Sequence, residues 1–168
     1  QGMRLTELQL YQCQVEDLKP LAGMPLIRLR VFSRQVRDCE PLKGMPLTTL
    51  DLSYCAQIQD FTPLTGLPLT VLHLNGCRIR DLQPLLGLKL TEVSLAGTRV
   101  QDLQQLKGMP LKNLAIHRTG VTDLTPLQGM ELKEIFLTPK NITQGVNHLR
   151  DMQSLKTIGI GYTNTEKL

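Results

Sequence analysis

Apolar positions along this chain follow two interleaved periods. Over a few residues they alternate, as in Leu8-Gln9-Leu10 and Leu72-His73-Leu74, which predicts short strands with one face turned inward. Over longer stretches the whole pattern returns every 21 or 22 residues. Gly23-Met24-Pro25-Leu26 comes back as Gly44-Met45-Pro46-Leu47, Gly66-Leu67-Pro68-Leu69 and Gly108-Met109-Pro110-Leu111. Looser copies start at Gly2, Gly87 and Gly129, and a degenerate one at Asp151. A unit this short buries its apolar face only against its neighbours, so the period predicts one solenoid domain over residues 1–168. Strands that return in the same direction in each of about eight units would form a parallel sheet.

Aligned on their leucines, the copies read Leu-x-x-Leu-x-Leu-x-x-Cys/Thr-x-Val/Ile-x-Asp-Leu-x-Pro-Leu-x-Gly-Met-Pro. The fourth, for instance, places Leu69, Leu72, Leu74, Cys77, Ile79, Asp81, Leu82, Pro84 and Leu85. Asp17, Asp38, Asp60, Asp81, Asp102 and Asp123 share one column, with Pro two or three residues on in most copies. An Asp there accepts backbone N–H bonds at the start of a helical turn, and Pro sits in the first turn at little cost. The Gly that follows suits the left-handed residue ending such a turn. Six acids in one structural column are therefore expected to be structural caps rather than a metal or catalytic site.

These residues resemble the leucine-rich repeat family through its Leu-x-x-Leu-x-Leu-x-x-Asn/Cys-x-Leu signature. The Asp-Leu-x-Pro-Leu segment is similar to internalin-type bacterial repeats. The Pro-Leu-x-Gly-Met-Pro-Leu-Thr wording more closely resembles repeats of large planctomycete proteins, which often accompany a serine/threonine kinase domain. The resemblance implies an α/β fold, a leucine-rich repeat solenoid of about eight 21–22-residue repeats. Its parallel β-sheet would line the concave face and short helical turns the convex face.

Three departures from the pattern carry expectations of their own. The column after the strand, usually Asn in the family, reads Cys13, Arg34, Cys55, Cys77, Thr98, Thr119, Lys140 and Thr163. Arg34 and Lys140 are costly to bury, so repeats 2 and 7 should bulge or turn that side chain outward. Ala56 is an insertion. The seventh repeat replaces Asp-Leu-x-Pro by a stretch whose apolar spacing at Val146, Leu149 and Met152 predicts a longer helical segment.

Charge and composition change this picture little. A net charge of +4, from 19 basic and 15 acidic residues, is an ordinary solvated surface because the signs are interspersed. No apolar run is long enough to span a membrane. The chain enters its first repeat at once and carries no initiator Met, so it reads as a fragment of a longer protein. Its first strand then lacks a preceding neighbour, and exposed strand edges favour end-to-end self-association of the fragment.

Candidate chemistry is sparse. Cys13, Cys55 and Cys77 fall in the ladder column and Cys39 replaces a core Leu, so all four read as buried thiols. No spacing supports zinc, a Cys55–Cys77 bridge is disfavoured by parallel side chains, and unpaired thiols lean toward a cytoplasmic location. His73, His117 and His148 lie in different places and read as surface residues. No phosphate-loop, kinase or hydrolase motif occurs, so neither a catalytic residue nor a cofactor is expected. Asn141-Ile142-Thr143 is formally a glycosylation sequon, but such triplets arise by chance.

The outward strand positions are more informative. One column reads Gln9, Arg30, Asp51, His73, Ser94, Ala115, Phe136 and Gly159; the next reads Tyr11, Phe32, Ser53, Asn75, Ala96, His117, Thr138 and Gly161. Of the six aromatics only Phe61 takes a core position, and Tyr162 joins the outward or strand-end set. Tyr11, Phe32 and Tyr54, flanked by Arg28, Arg30, Asp51 and His73, form the candidate binding patch, since aromatics and Arg anchor interfaces. Alternation points these side chains away from the leucine core, so the patch is expected to stay open. Arg34, Arg37, Arg78, Arg80, Arg99 and Arg118 line the edge after the strands. Nearby acids dilute their field, which makes nucleic acid a disfavoured partner.

The expected function is non-catalytic: a protein-interaction or ligand-recognition module of a larger bacterial protein whose partner the sequence does not name. The family resemblance implies either a regulatory segment beside a kinase or a secreted, internalin-like surface adhesin.

Overall fold

The computed structural model describes residues 5–11 and 14–160. The calls on Cys13, Gly161, Tyr162 and Thr163 lie outside the described residues. Strands β1 (Glu7–Leu10), β2 (Arg28–Val31), β3 (Thr49–Asp51), β4 (Val71–His73), β5 (Glu92–Ser94), β6 (Asn113–Ala115), β7 (Glu134–Leu137) and β8 (Thr157–Ile160) form one sheet in sequence order. Every neighbouring pair is parallel and in register, so Leu29, Leu50, Leu72, Val93, Leu114 and Ile135 stack one above the next. Slipping any strand by one residue would turn this column out to water, and burial therefore fixes the register.

The stack fills with aliphatic side chains. Leu50, Leu52, Ile58, Leu64, Leu69, Leu72 and Leu74 are fully buried between the sheet and the turns. Each such side chain contributes about 1.5–3 kcal/mol relative to exposure, more than the about 0.5–1.5 kcal/mol of an ordinary neutral hydrogen bond. A second ladder runs just before the strands, where the N–H groups of Thr48, Thr70, Thr91, Lys112 and Lys133 each reach the carbonyl one repeat earlier, at 2.7–2.9 Å.

The convex side consists of three-residue 3-10 turns such as Thr62–Leu64 and Gln83–Leu85, a helical geometry short enough for the repeat. Each Asp of the column stands one residue before the N-cap and accepts the N–H two residues on, at 2.7–2.9 Å for Asp17, Asp38, Asp60, Asp81, Asp102 and Asp123. Asp60 and Asp123 also accept the hydroxyls of Thr62 and Thr125. These bonds hold the Asp60 carboxyl below the usual carboxylate range. Gly66 then leaves the turn at φ +75°, where a Cβ would be strained.

Repeats 2 and 7 solve their ladder problem by substitution. Arg34 is exposed, and the neighbouring Ser33 is buried in its stead, donating to the Val15 carbonyl at 2.6 Å. Lys140 is likewise exposed, and Asn141 Nδ2 donates to the Thr119 carbonyl at 3.2 Å. In the seventh repeat the convex turn becomes helix α1 (Val146–Arg150), which buries Leu149. The inward side of β8 has nothing stacked on it among the described residues, and Ile158 and Ile160 are exposed.

Candidate functional site

Alternation along the strands leaves one side-chain set on the outer, concave surface of the sheet. At its N-terminal end the rings of Tyr11 and Phe32 lie 4.9 Å apart and tilted by 31°, and Phe32 lies 6.4 Å from Tyr54 at 38°. The three form a continuous strip across three repeats. Tyr11 is 48% exposed and Tyr54 55%, while Phe32 between them is half-buried.

Beside the strip runs a chain of charge. Arg28 pairs with Glu7 at 3.6 Å. The Tyr11 hydroxyl beside the Arg30 guanidinium, with the nearby carboxylates of Asp51 and Glu7, makes it hold its proton more tightly than usual. His73 lies between two acids, with Nδ1 3.4 Å from Asp51 and Nε2 2.7 Å from Glu92. The bond to Asp51, then that to Glu92, raises the imidazole pKa against the opposing effect of burial. Burial would push the Asp51 carboxyl up, but bonds from His73 and from Ser53, whose N–H donates at 2.9 Å, together hold it below its ordinary value. Glu92 also accepts Asn113 Nδ2 at 3.3 Å. Glu7, Arg28, Arg30, Asp51, His73 and Glu92 line a depression of about 550 Å³.

Two sequence-based expectations change here. Asp51 is not an open anchor: only 8% of it is exposed. The expectation that outward-pointing residues stay open neglected lateral packing, because strands about 5 Å apart let long neighbours cover a short side chain. His73, expected as a surface residue, is held between two carboxylates. The sequence reading missed Glu92, which completes that clamp. The first outward column, running Glu7, Arg28, Thr49, Val71, Glu92, Asn113 and Glu134, carries the signal.

Farther along the face, Asn75 bridges three repeats. Its Oδ1 accepts Ser94 Oγ at 2.5 Å and the Ala96 N–H at 3.0 Å, and its Nδ2 donates to Ser53 Oγ at 3.2 Å. At the C-terminal ends of the strands, Tyr54, Gly76, Gly97 and Arg118 share a left-handed column with φ of 66°, 67°, 68° and 58°. Glycine adopts this conformation freely, whereas Tyr54 and Arg118 hold it at a cost of about 1–2 kcal/mol each.

The thiols belong to the core. Cys55 and Cys77 donate to the carbonyls of Val31 and Leu52 at 3.4 and 3.1 Å, and Cys39 donates to that of Asp60 at 3.2 Å. Burial pushes the Cys39 and Cys77 thiols up to about 12. Among the described residues no group of three His, Cys, Asp or Glu is arranged to hold a metal ion, and no helix is long and apolar enough to cross a membrane. Arg34, Arg37, Arg78, Arg80, Arg99 and Arg118 are all exposed along the edge.

Comparison with known proteins adds to this geometry. A Leucine Rich repeat family model matches residues 45–60, which hold β3 and end at Asp60, just before the following turn. No curated protein matches the chain. Among solved structures, internalin C2 from Listeria monocytogenes superposes with a TM-score of 0.81 at 26% identity, covering 94% of this chain and 71% of that one. A second internalin from the same organism, inlF, gives a TM-score of 0.64 at 25% identity, with 90% of this chain and 54% of that chain covered. A 21–22-residue period, an in-register parallel sheet and superposition along nearly its whole length give this chain a leucine-rich repeat solenoid fold similar to that of bacterial internalins.

Proposed function

We propose that the chain is a non-catalytic protein-recognition module that engages its partner through the N-terminal half of its concave face. The observation that carries this reading is the Tyr11–Phe32–Tyr54 strip, two of whose rings stand about half exposed beside Arg28 and Arg30. Aromatic and arginine side chains dominate the energetics of protein interfaces. The backbone of Tyr54 adds support. Gly76 and Gly97 occupy the same position in the next two repeats, so the solenoid does not require a bulky residue there, and local strain tends to persist where function uses it.

With the partner in hand, Phe32→Ala and Arg30→Ala should each weaken binding by about 1–2 kcal/mol or more. Ser94→Ala and Ala96→Ser, farther along the same face, should matter less. Equal effects from both pairs, with the fold intact, would move the site to the convex side or the arginine edge.

The wording of the repeats favours a regulatory segment beside a serine/threonine kinase domain, and the buried thiols fit the reducing cytoplasm such a segment would occupy. The likeness to internalins supports the alternative, a surface-exposed adhesin. A role in nucleic-acid binding would need the arginine edge, and strongly salt-dependent binding to random DNA or RNA would restore it.

A further inference from the structure

The aromatic strip does not end at Tyr54. Its ring leans over Gly76, so closely that a Cβ on Gly76 would meet the ring carbon at 3.0 Å. The next glycine of the column, Gly97, has no side chain over it; a Cβ there would meet nothing nearer than the Gly76 backbone at 3.9 Å. One repeat further on, Arg118 rises from the same backbone position. The result is a notch of about 310 Å³ walled by Tyr54 and Arg118, floored by Gly76, Ala96 and Gly97, and backed by Asn75, Ser94 and His117.

The polar groups of this notch divide into used and unused. Asn75 spends its oxygen on Ser94 and Ala96 and a donor on Ser53. The Gly76 and Gly97 N–H groups are committed to the carbonyls of Ala96 and His117. The Arg118 backbone N–H is held by Thr138 Oγ1 at 2.8 Å, which fixes the base of the side chain, but its guanidinium makes no hydrogen bond or ion pair among the described residues. His117 Nδ1 is shielded from water and has no hydrogen-bond partner among the described residues. Burial, and then the charge of Arg118, keep that imidazole below its ordinary pKa. The unused groups therefore include a cation and an imidazole nitrogen beside a small apolar floor.

We propose that this notch is a subsite for a carboxylate of the protein partner, an acidic side chain whose methylene stem lies on Gly97 and Ala96 while its oxygens meet Arg118. A guanidinium offers paired donors in a plane that matches a carboxylate. The floor has room for a stem over Gly97, where the left-handed column supplies no side chain and a Cβ would meet nothing nearer than 3.9 Å. This inference rests on the concave face being the recognition surface and adds which chemistry its far end selects.

The test uses the isotopically labelled protein, with amide and imidazole resonances followed by NMR. The probes are the blocked tripeptide Gly-Glu-Gly, its Gly-Gln-Gly counterpart and inorganic phosphate. The glutamate probe should shift Gly76, Gly97, Arg118 and the His117 ring in a saturable way. The glutamine probe should not, and Arg118→Gln should abolish the response, whereas Arg118→Lys should keep a weaker one. Against the whole partner, Arg118→Gln should lower affinity about tenfold. No response to the glutamate probe, the same response to the glutamine probe, or a stronger one to phosphate would each overturn the proposal. Full partner affinity in Arg118→Gln alongside loss in Phe32→Ala would defeat this subsite and leave the wider reading standing. Full affinity in both would defeat the concave site itself.

Discussion

Replacing Asn75 by Ala removes a side chain that ties β3, β4 and β5 together across the floor of the concave face. Three bonds are lost: to Ser94 Oγ at 2.5 Å, to the Ala96 N–H at 3.0 Å and to Ser53 Oγ at 3.2 Å. Each contributes about 0.5–1.5 kcal/mol net, and the two hydroxyls can turn toward water once freed. The Ala96 N–H is backbone and cannot turn. The expected loss is therefore about 2–3 kcal/mol, between one bond and the full sum. For a chain of this size that corresponds to a fall in Tm of roughly 5–10 °C. Thermal unfolding followed by circular dichroism, with Asn75→Asp as a companion, reads it directly. The Asp variant keeps both acceptor bonds and should lose less than half as much. A loss below about 0.5 kcal/mol for Asn75→Ala would show that water replaces all three bonds, and the bridging role would have to be abandoned.

Three further outcomes are expected. With their pKa values pushed up to about 12, Cys39 and Cys77 should react with an alkylating reagent at pH 8 about a thousandfold more slowly than an ordinary thiol. All four cysteines should be alkylated once the chain is unfolded without reductant; protected sulfurs in the intact mass would contradict this. His73 has a raised pKa, so its contribution to stability is present below its unfolded value of about 6.5 and is lost as the pH climbs through the folded value. The stability of the native chain relative to His73→Gln should thus shrink between mildly acidic and alkaline pH, and a constant difference would refute the clamp. His117 titrates with the opposite sign, its contribution being lost as the pH falls through its lowered value, but it is common to both proteins and cancels. Arg118→Gly should stabilise the fold by about 0.5–1 kcal/mol, the relief of the left-handed backbone outweighing the added chain entropy. Destabilisation in chemical unfolding would mean that the Arg118 side chain packs more usefully than its exposure indicates.

The sequence made the solenoid legible because its period, its alternating leucines and its Asp and Gly columns are all local, and each meets the same need in every repeat. Phe61 and Cys39 could be placed in the core for the same reason: they stand where other copies carry leucine. What escaped is lateral. Whether Asp51 is open or covered depends on side chains one repeat to either side, and the partnership of His73 with Glu92 runs diagonally between β4 and β5. The ladder duties of Ser33 and Asn141 were hidden by one-residue shifts that a fixed alignment assigns to Arg34 and Lys140. The left-handed column of Tyr54, Gly76, Gly97 and Arg118 also escaped, since nothing about a bulky residue announces a positive φ.

The central claim, recognition by the concave face, is tested most directly by a photo-crosslinking amino acid placed one position at a time in cells of the native host. Position 32 lies in the aromatic strip, position 78 on the arginine edge and position 86 on the convex side, where Leu86 is 59% exposed. A discrete protein adduct at position 32, absent at 78 and 86, is the predicted result. An adduct at 86 or 78 with none at 32 would contradict it.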